Sequence, residues 1–520
     1  MSERSDSPGK PGSAVVPHEL AGYQFGPLER RGLLLGLSGG QVATLGGAGA
    51  LALLVLRALT GPAAGLGSGT ILLLGAACAL LPVGGRPMQT WLPLLAGYAL
   101  RRLWGRRLFQ SRAYLHGHLV TFREDGAVLH ALPPEERPAS LRDLRFLEVE
   151  AGREERTVGV IKDVRRHTYV GVLRLRGRSF NLLDEAGQTC AVQAWASILA
   201  AYALASSPVS RLQWLERTLP EDGHQIARHF EERRPTQAPE AALRIYSQAI
   251  SQTRESGSHH ECLLALQVDG RHAWRQVRLA GGGDRGACGL LVRELAALSP
   301  RLEAAGIEVE DALGPRAIAE AIRSAFEPDA RPRLRVIHGT GADAGPHPRN
   351  AWPLQTVEAF AHYQPGPRAF HATYHVREWP RIEVDPGFLA PLLLGATCLR
   401  TVSMTLAPVP AARAAHELRR ALAADASDDT LRQGAGWLPS FRRQREAANV
   451  LRAEQELADG HASYRFSAYV TVSAGSGDAL EAACAEVEQA ASRSHMELER
   501  LMAEQELAFT YTLPLCEGLA

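Results

Sequence analysis

Between Arg31 and Arg57 the chain carries no charged side chain, and from Ala58 to Gly85 it carries none again. Each stretch exceeds the roughly 20 residues that a helix needs to cross the hydrocarbon core of a bilayer. An unpaired peptide group in lipid costs several kcal/mol, which restricts such segments to helices. The apolar centres predict spans over 33–56 and 66–83, with Thr60-Gly61-Pro62 as the turn. Arg57 is costly at the bilayer centre, but at a helix end its stem snorkels to the interface. The competing reading is a pair of buried helices in a soluble core. Two such runs in tandem, separated by one arginine, argue against it.

Orientation follows from the arginines. Arg30 and Arg31 precede the first span, Arg86, Arg101, Arg102, Arg106, Arg107 and Arg112 follow the second, and the hairpin loop holds at most Arg57. The positive-inside rule then predicts a multi-pass protein of the plasma membrane with both termini cytoplasmic. Gly36 and Gly40 form a GxxxG, and with Gly47 they predict a face on which helix backbones approach closely. The segment 86–112 interleaves Trp91, Trp104 and leucines with Arg86, Arg101, Arg102, Arg106 and Arg107. That composition suits a helix lying in the interface, its arginines on anionic lipid. A third span is the weaker reading, because of the arginines within 101–107.

A chain of 520 residues is too long for one core. An arm over 1–32 and the hairpin over 33–85 leave two cytosolic α+β lobes, 113–330 and 351–520. Between them 331–350 reads as a linker, rich in Pro, Gly, His and Arg without periodicity. Runs at 157–161 and 168–174 predict a hairpin, and strands at 262–268, 371–379, 399–406 and 466–473 alternate with helices such as 186–205, 316–326, 428–459 and 478–494. Strands joined by covering helices predict mainly antiparallel sheets with helices on one face, built from ferredoxin-like units.

Several chemistries are excluded or disfavoured. Of 57 basic residues only Lys10 and Lys162 are lysines, and neither follows a phosphate-cradling loop, which excludes a Walker-type ATPase and lysine Schiff-base chemistry. Seven scattered cysteines without CxxC spacing predict neither a disulfide framework nor a zinc site. His259, His260 and Glu261, or His371 and His375, lack a clear third metal ligand. Trp352 and Trp379, each beside proline, fill a core or anchor a partner, and the first role is the commoner for a buried aromatic. The residues therefore predict no catalytic, cofactor or metal site, and no enzyme. No basic cluster outside the juxtamembrane segment demands nucleic acid, so direct contact with it stays open.

The order of parts carries a resemblance. Leu33-Leu34-Leu35-Gly36-Leu37-Ser38-Gly39-Gly40-Gln41, two spans, and then Pro82-Val83-Gly84-Gly85-Arg86-Pro87-Met88-Gln89-Thr90-Trp91-Leu92 resemble the two-helix PrgI-like membrane proteins of conjugative type IV secretion systems. The remainder resembles a family of actinobacterial membrane proteins found with those components, through Arg349-Asn350-Ala351-Trp352-Pro353, Glu378-Trp379-Pro380, Phe388-Leu389-Ala390-Pro391-Leu392-Leu393, Arg400-Thr401-Val402 and Met404-Thr405. Ala508-Phe509 through Thr512-Leu513-Pro514-Leu515 is similar to the point where the amino-terminal domain of the conjugation ATPase gives way to its motor. The resemblance implies a PrgI-like anchor fused to a docking domain without the motor. Its implied partners are membrane lipid, a motor ATPase and other secretion subunits, with homo-oligomerisation left open. Two other readings stand beside it. One is a type VII secretion component with two helices and a cytosolic domain. The other is a membrane-bound enzyme using His371, His375 and Glu378.

Overall fold

The computed structural model describes residues 38–58, 61–83, 86–111, 136–151, 156–177, 180–220, 230, 239–256, 258–331, 334, 344–434, 441–458 and 460–519. Helices α1 (Gly39–Ala58) and α2 (Pro62–Leu80) come first. A capping box fixes the start of α1. The Ser38 amide donates to Gln41 Oε1 at 2.8 Å and the Gln41 amide to Ser38 Oγ at 3.3 Å. Among the described residues the helix begins at Gly39, and the expected 33–37 lie outside them. Gly61, at φ 88°, takes a backbone conformation that side chains disfavour, and Pro62 opens α2 where no amide donor is needed. The second helix ends at Leu80, short of the expected 83, because Leu81 turns extended. There β1 (Pro82–Val83) folds back on β2 (Arg86–Pro87).

Helix α3 (Met88–Leu103) has 16 residues, a length of about 24 Å. That is short of a hydrocarbon core about 30 Å thick, and basic side chains fill its last turn. After it, β3 (Leu108–Gln110) joins the edge of a 13-stranded sheet in which every pairing is antiparallel.

The sheet is built twice over by the same chain order. In the first half the hairpin β4 (Leu144–Ala151) and β5 (Arg156–Asp163) leads to β6 (Thr168–Arg176), α4 (Glu185–Tyr202) and β7 (Val209–Pro220). An excursion carrying α5 (Glu240–Ser256) returns to β8 (Ser258–Asp269). Then α6 (Trp274–Leu279), α7 (Gly283–Ala304), β9 (Glu308–Ala312) and α8 (Pro315–Phe326) complete it. In the second half the hairpin β10 (Gln355–Glu358) and β11 (Tyr363–Gly366) leads to β12 (Ala369–Glu378), α9 (Ala390–Leu393) and β13 (Leu399–Val409). A pair of helices, α10 (Ala411–Gly434) and α11 (Phe441–Ala458), precedes β14 (Ser463–Ala474), α12 (Gly477–Arg493), β15 (Glu497–Arg500) and α13 (Gln505–Thr510). The spatial orders β9-β6-β8-β7 and β15-β12-β14-β13 are the same: fourth, first, third, second. The predicted hairpin at 157–174 is β5–β6. The helix expected from 428 is instead the end of α10, which continues to Gly434, and α11 follows.

The two second strands, β7 and β13, pair with each other from Arg400↔Thr218 to Leu406↔Leu212, so one sheet runs through both halves. Most of the expected linker, 332–333 and 335–343, lies outside the described residues. The carboxy-terminal segment straps the seam. Gln213, fully buried, donates to Ser403 Oγ at 2.8 Å and to the Tyr511 carbonyl at 3.0 Å, and accepts from the Cys516 amide at 2.7 Å. Thr405 Oγ1 donates to the Glu517 carbonyl at 2.8 Å.

In the first half apolar residues cover both faces. Leu264, Leu266 and Val268 of β8 pack with α4 and α7, while Leu263 and Ala265 pack with α8 and the carboxy-terminal Leu513 and Leu515. A strand buried on both sides needs a continuous apolar run, which Cys262–Val268 nearly is.

Candidate membrane-anchor junction

Helices α1 and α2 are the two in the described chain that are long and apolar enough to cross a membrane. The fold does not bury them. Only 6% of the first apolar window and 17% of the second are enclosed, so neither serves as a core helix of the described protein. Leu53, Leu54, Leu66, Leu73 and Leu74 are all more than three-fifths exposed, an apolar surface that water does not tolerate at this extent.

The close approach between the two helices comes from α2. A Cβ added at Gly75 would stand 2.4 Å from Ala48 Cβ, and one at Gly67 would stand 3.3 Å from Val55 Cγ1. Gly47, expected on this face, has open space around it, and Gly36 lies outside the described residues. Gly40 meets α3 instead: its added Cβ would lie 3.2 Å from the Gln89 amide. With its amide turned to satisfy both neighbours, Gln89 donates to the Gly40 carbonyl at 3.2 Å and to Thr44 Oγ1 at 2.8 Å. Gln41 Nε2 donates to the Ala79 carbonyl at 2.9 Å. Polar side chains thus knit one end of the α1–α2 pair to the start of α3.

Below this knot, two arginines expected on lipid are taken by the protein. Arg86 Nε donates to Glu499 of β15 at 2.5 Å and its Nη1 to Glu504 at 3.2 Å. At the other end of α3, Arg101 donates from Nε to Glu358 Oε2 at 3.0 Å and from Nη2 to the Ala503 carbonyl at 2.6 Å. Glu358 is 2% exposed, and burial pushes its carboxyl up while Arg101 opposes the shift. Tyr98 adds an edge-on contact to Phe360, with ring centroids 5.7 Å apart. Helix α3 is therefore bolted along the second half's edge, its two ends clamped by carboxylates.

The rest of the juxtamembrane set is freer. Trp104 is 64% exposed with the Arg106 guanidinium 5.1 Å from its ring, Arg102 is exposed, and Trp91 and Arg107 are partly buried. Sequence reasoning found both arginines of the clamp but none of the acids. Glu358, Glu499 and Glu504 lie hundreds of residues downstream, and no local pattern ties them to α3.

Most of the other candidates are buried in the fold. Trp352, 4% exposed, packs on Phe146 with Arg137 over its ring, and Trp379, 6% exposed, packs edge-on against Phe388 and Phe466. Neither presents area to a partner. His371 is fully buried, with Nδ1 2.8 Å from Ser473 Oγ and Nε2 2.9 Å from the Phe326 carbonyl, and burial pushes it down to about 4. His375, beside Ser467 Oγ at 3.2 Å, is pushed down to about 4 by burial and then by Arg86. Glu378 is spent on Arg381 at 2.5 Å. Among the described residues no three His, Cys, Asp or Glu side chains are grouped to hold a metal ion. Compared with known proteins, the chain matches no family model and no curated protein.

Proposed function

We propose that this chain is a non-enzymatic inner-membrane subunit of a type IV-like secretion or conjugation apparatus. In this reading α1 and α2 span the plasma membrane with both termini in the cytoplasm, and the sheet offers a platform for a motor ATPase and other subunits. The observation that carries it is the clamp on α3. A flexible tether would merely confine the soluble part, whereas Arg86 and Arg101, paired to carboxylates at both ends of α3, fix its position relative to the bilayer. Fixing partners in the membrane plane raises their effective concentration and sets their orientation. Each half further reads as a ferredoxin-like unit, supported by the strand order and by helices joining its first to second and third to fourth strands.

The test is affinity purification of the full chain from native membranes in mild detergent. A secretion ATPase or neighbouring subunit should co-purify, and Arg86→Glu with Arg101→Glu should lose it while the chain still sediments with membranes. If the wild-type chain enriches no such subunit, the docking role fails.

A further inference from the structure

The sequence shows no basic cluster beyond the juxtamembrane segment, but the fold assembles one. The turn after β5 carries Arg165 and Arg166, and the segment after β8 carries Arg271, Arg275 and Arg278, with Arg285 on the first turn of α7. Arg271 Nη2 donates to the Arg165 carbonyl at 3.1 Å, which ties the two turns together. Among the described residues Arg166 pairs with Glu517 and Asp163 and Lys162 with Asp284, while Arg165, Arg271, Arg275, Arg278 and Arg285 have no carboxylate in ion-pair range. The surplus is positive and exposed.

Two large apolar side chains stand in the middle of it. Trp274 is 52% exposed, with the Arg275 guanidinium 5.5 Å from its ring, and Leu279 is 89% exposed. Gln276 Nε2 donates to the Ser206 carbonyl at 2.8 Å, which places Leu204, 63% exposed, on the neighbouring loop. Between the turns lies a cavity of about 530 Å3, lined by Lys162, His167, Trp274, Arg278 and Asp284 among others. The second half has no counterpart. There β14 passes into α12 through Gly475 and Ser476, with no helix between.

A series of contacts links this patch to the foot of the anchor. Arg86 faces His375, whose ring centroid lies 5.2 Å from that of Tyr469, which in turn lies 4.7 Å from Tyr511. The Tyr469 hydroxyl donates to the Gly518 carbonyl at 2.6 Å, and the adjacent Glu517 carboxylate holds Arg166 at 2.5 Å. A few side chains thus separate the arginine below the membrane hairpin from the basic patch. Arginines around an exposed tryptophan and leucine fit a surface that is anionic outside and apolar beneath, which is the cytoplasmic face of a bilayer.

We propose that 163–167 and 271–285 form a second membrane contact, in which Arg165, Arg271, Arg275 and Arg278 bind anionic lipid headgroups while Trp274 and Leu279 enter the interfacial layer. The contact rests on the anchor reading, since it uses the same bilayer that α1 and α2 cross.

The experiment is hydrogen exchange of the full chain in nanodiscs of phosphatidylcholine alone and of phosphatidylcholine with phosphatidylglycerol. Exchange over 271–283 should slow at least tenfold in the anionic discs. Each of Arg271→Gln and Arg278→Gln should return about five-fold of that protection, and Trp274→Ser should remove protection in both disc types. Equal exchange in the two discs, with the chain inserted and 39–80 protected, would overturn the contact and leave the anchor standing. Protection in neutral discs by glycerol phosphate or by single-stranded DNA, equal to that from anionic lipid, would overturn it in favour of a soluble ligand. Fast exchange throughout 39–80 would remove the anchor, and this contact with it.

Discussion

The two halves of the sheet share a strand order but solve burial in opposite ways. In the first half both faces are largely apolar, and a compact network of charges is buried among them. Arg217, 2% exposed, pairs with Glu261 at 3.0 Å and donates to Ser324 Oγ at 2.8 Å, and Arg174 takes the other Glu261 oxygen at 3.0 Å. In the second half one face is apolar, through Ala372, Tyr374, Val470 and Val472 under α9 and α12. The other is a buried ladder of hydroxyls and imidazoles beneath α13 and the carboxy-terminal segment. Thr373 Oγ1 bonds Thr471 Oγ1 at 2.8 Å, Thr471 bonds Thr512 at 2.8 Å, and Gln505 Oε1 accepts from the Thr373 amide at 2.8 Å. The seam shows the same contrast. Arg217 is balanced by a carboxylate, whereas Arg400, 1% exposed, donates to the carbonyls of Leu392, Leu393, Ala396 and Cys398. One topology therefore accepts either an ionic network or a neutral hydroxyl ladder in its interior.

The largest effect separates the two kinds of interior. Glu261→Leu leaves Arg217 and Arg174 without their shared carboxylate in a dry core, which should cost about 3–5 kcal/mol in urea unfolding of detergent-solubilised protein. Arg400→Met, which strands only carbonyls, should cost less, about 1–3 kcal/mol. Equal losses would erase the ionic-versus-neutral distinction.

Next comes the seam. Gln213→Leu removes three hydrogen bonds that join β7, β13 and the carboxy-terminal strap, and the same titration should show a loss of about 2–3 kcal/mol. A smaller loss confined to one half would mean that the halves hold together without the strap.

The pH response belongs to the second half. His371 and His375 are held neutral, with pKa values pushed below the unfolded value of about 6.5 to about 4. Stability from each is complete above pH 6.5. Below it the unfolded chain takes up a proton that the folded chain refuses, so stability should fall by about 1.4 kcal/mol per pH unit per histidine down to pH 4. His371→Gln should flatten that slope, as read by unfolding between pH 7 and 4.5.

The smallest effect tests the hydroxyl ladder. Thr471→Val alone strands Thr373 and leaves Thr512 only its bond to the Phe509 carbonyl, and should cost about 1–2 kcal/mol. With Thr373 and Thr512 also changed to Val, no partner is left unsatisfied, and the triple variant should recover to within about 1 kcal/mol of wild type. Additive losses across the three would show that the hydroxyls stabilise through packing rather than through one another.

Much of this was legible along the chain. The uncharged runs and the alternation in β12, β13 and β14 are local, whereas the capping box at Ser38 and Gln41 was missed and the first helix was expected from 33. The clamp was half legible: arginines cluster at 86 and 101, but their acids come from strand and helix ends far downstream. The basic patch was invisible because two short turns that look ordinary apart, 163–167 and 271–285, become one surface only when β6 and β8 pair.

By itself the sequence determined the two long apolar helices, since an uncharged run of that length has few alternatives, and the α+β class, since period and composition change from segment to segment. The meaning of polar alternation was left to the tertiary structure. Ser403, Thr405, His371 and Thr373 alternate with apolar residues as a solvent-facing set does, yet all are fully buried. They lie beneath a carboxy-terminal segment more than 100 residues away in sequence. A side chain's period states which face it takes, but what covers that face is set by parts of the chain that no local window contains.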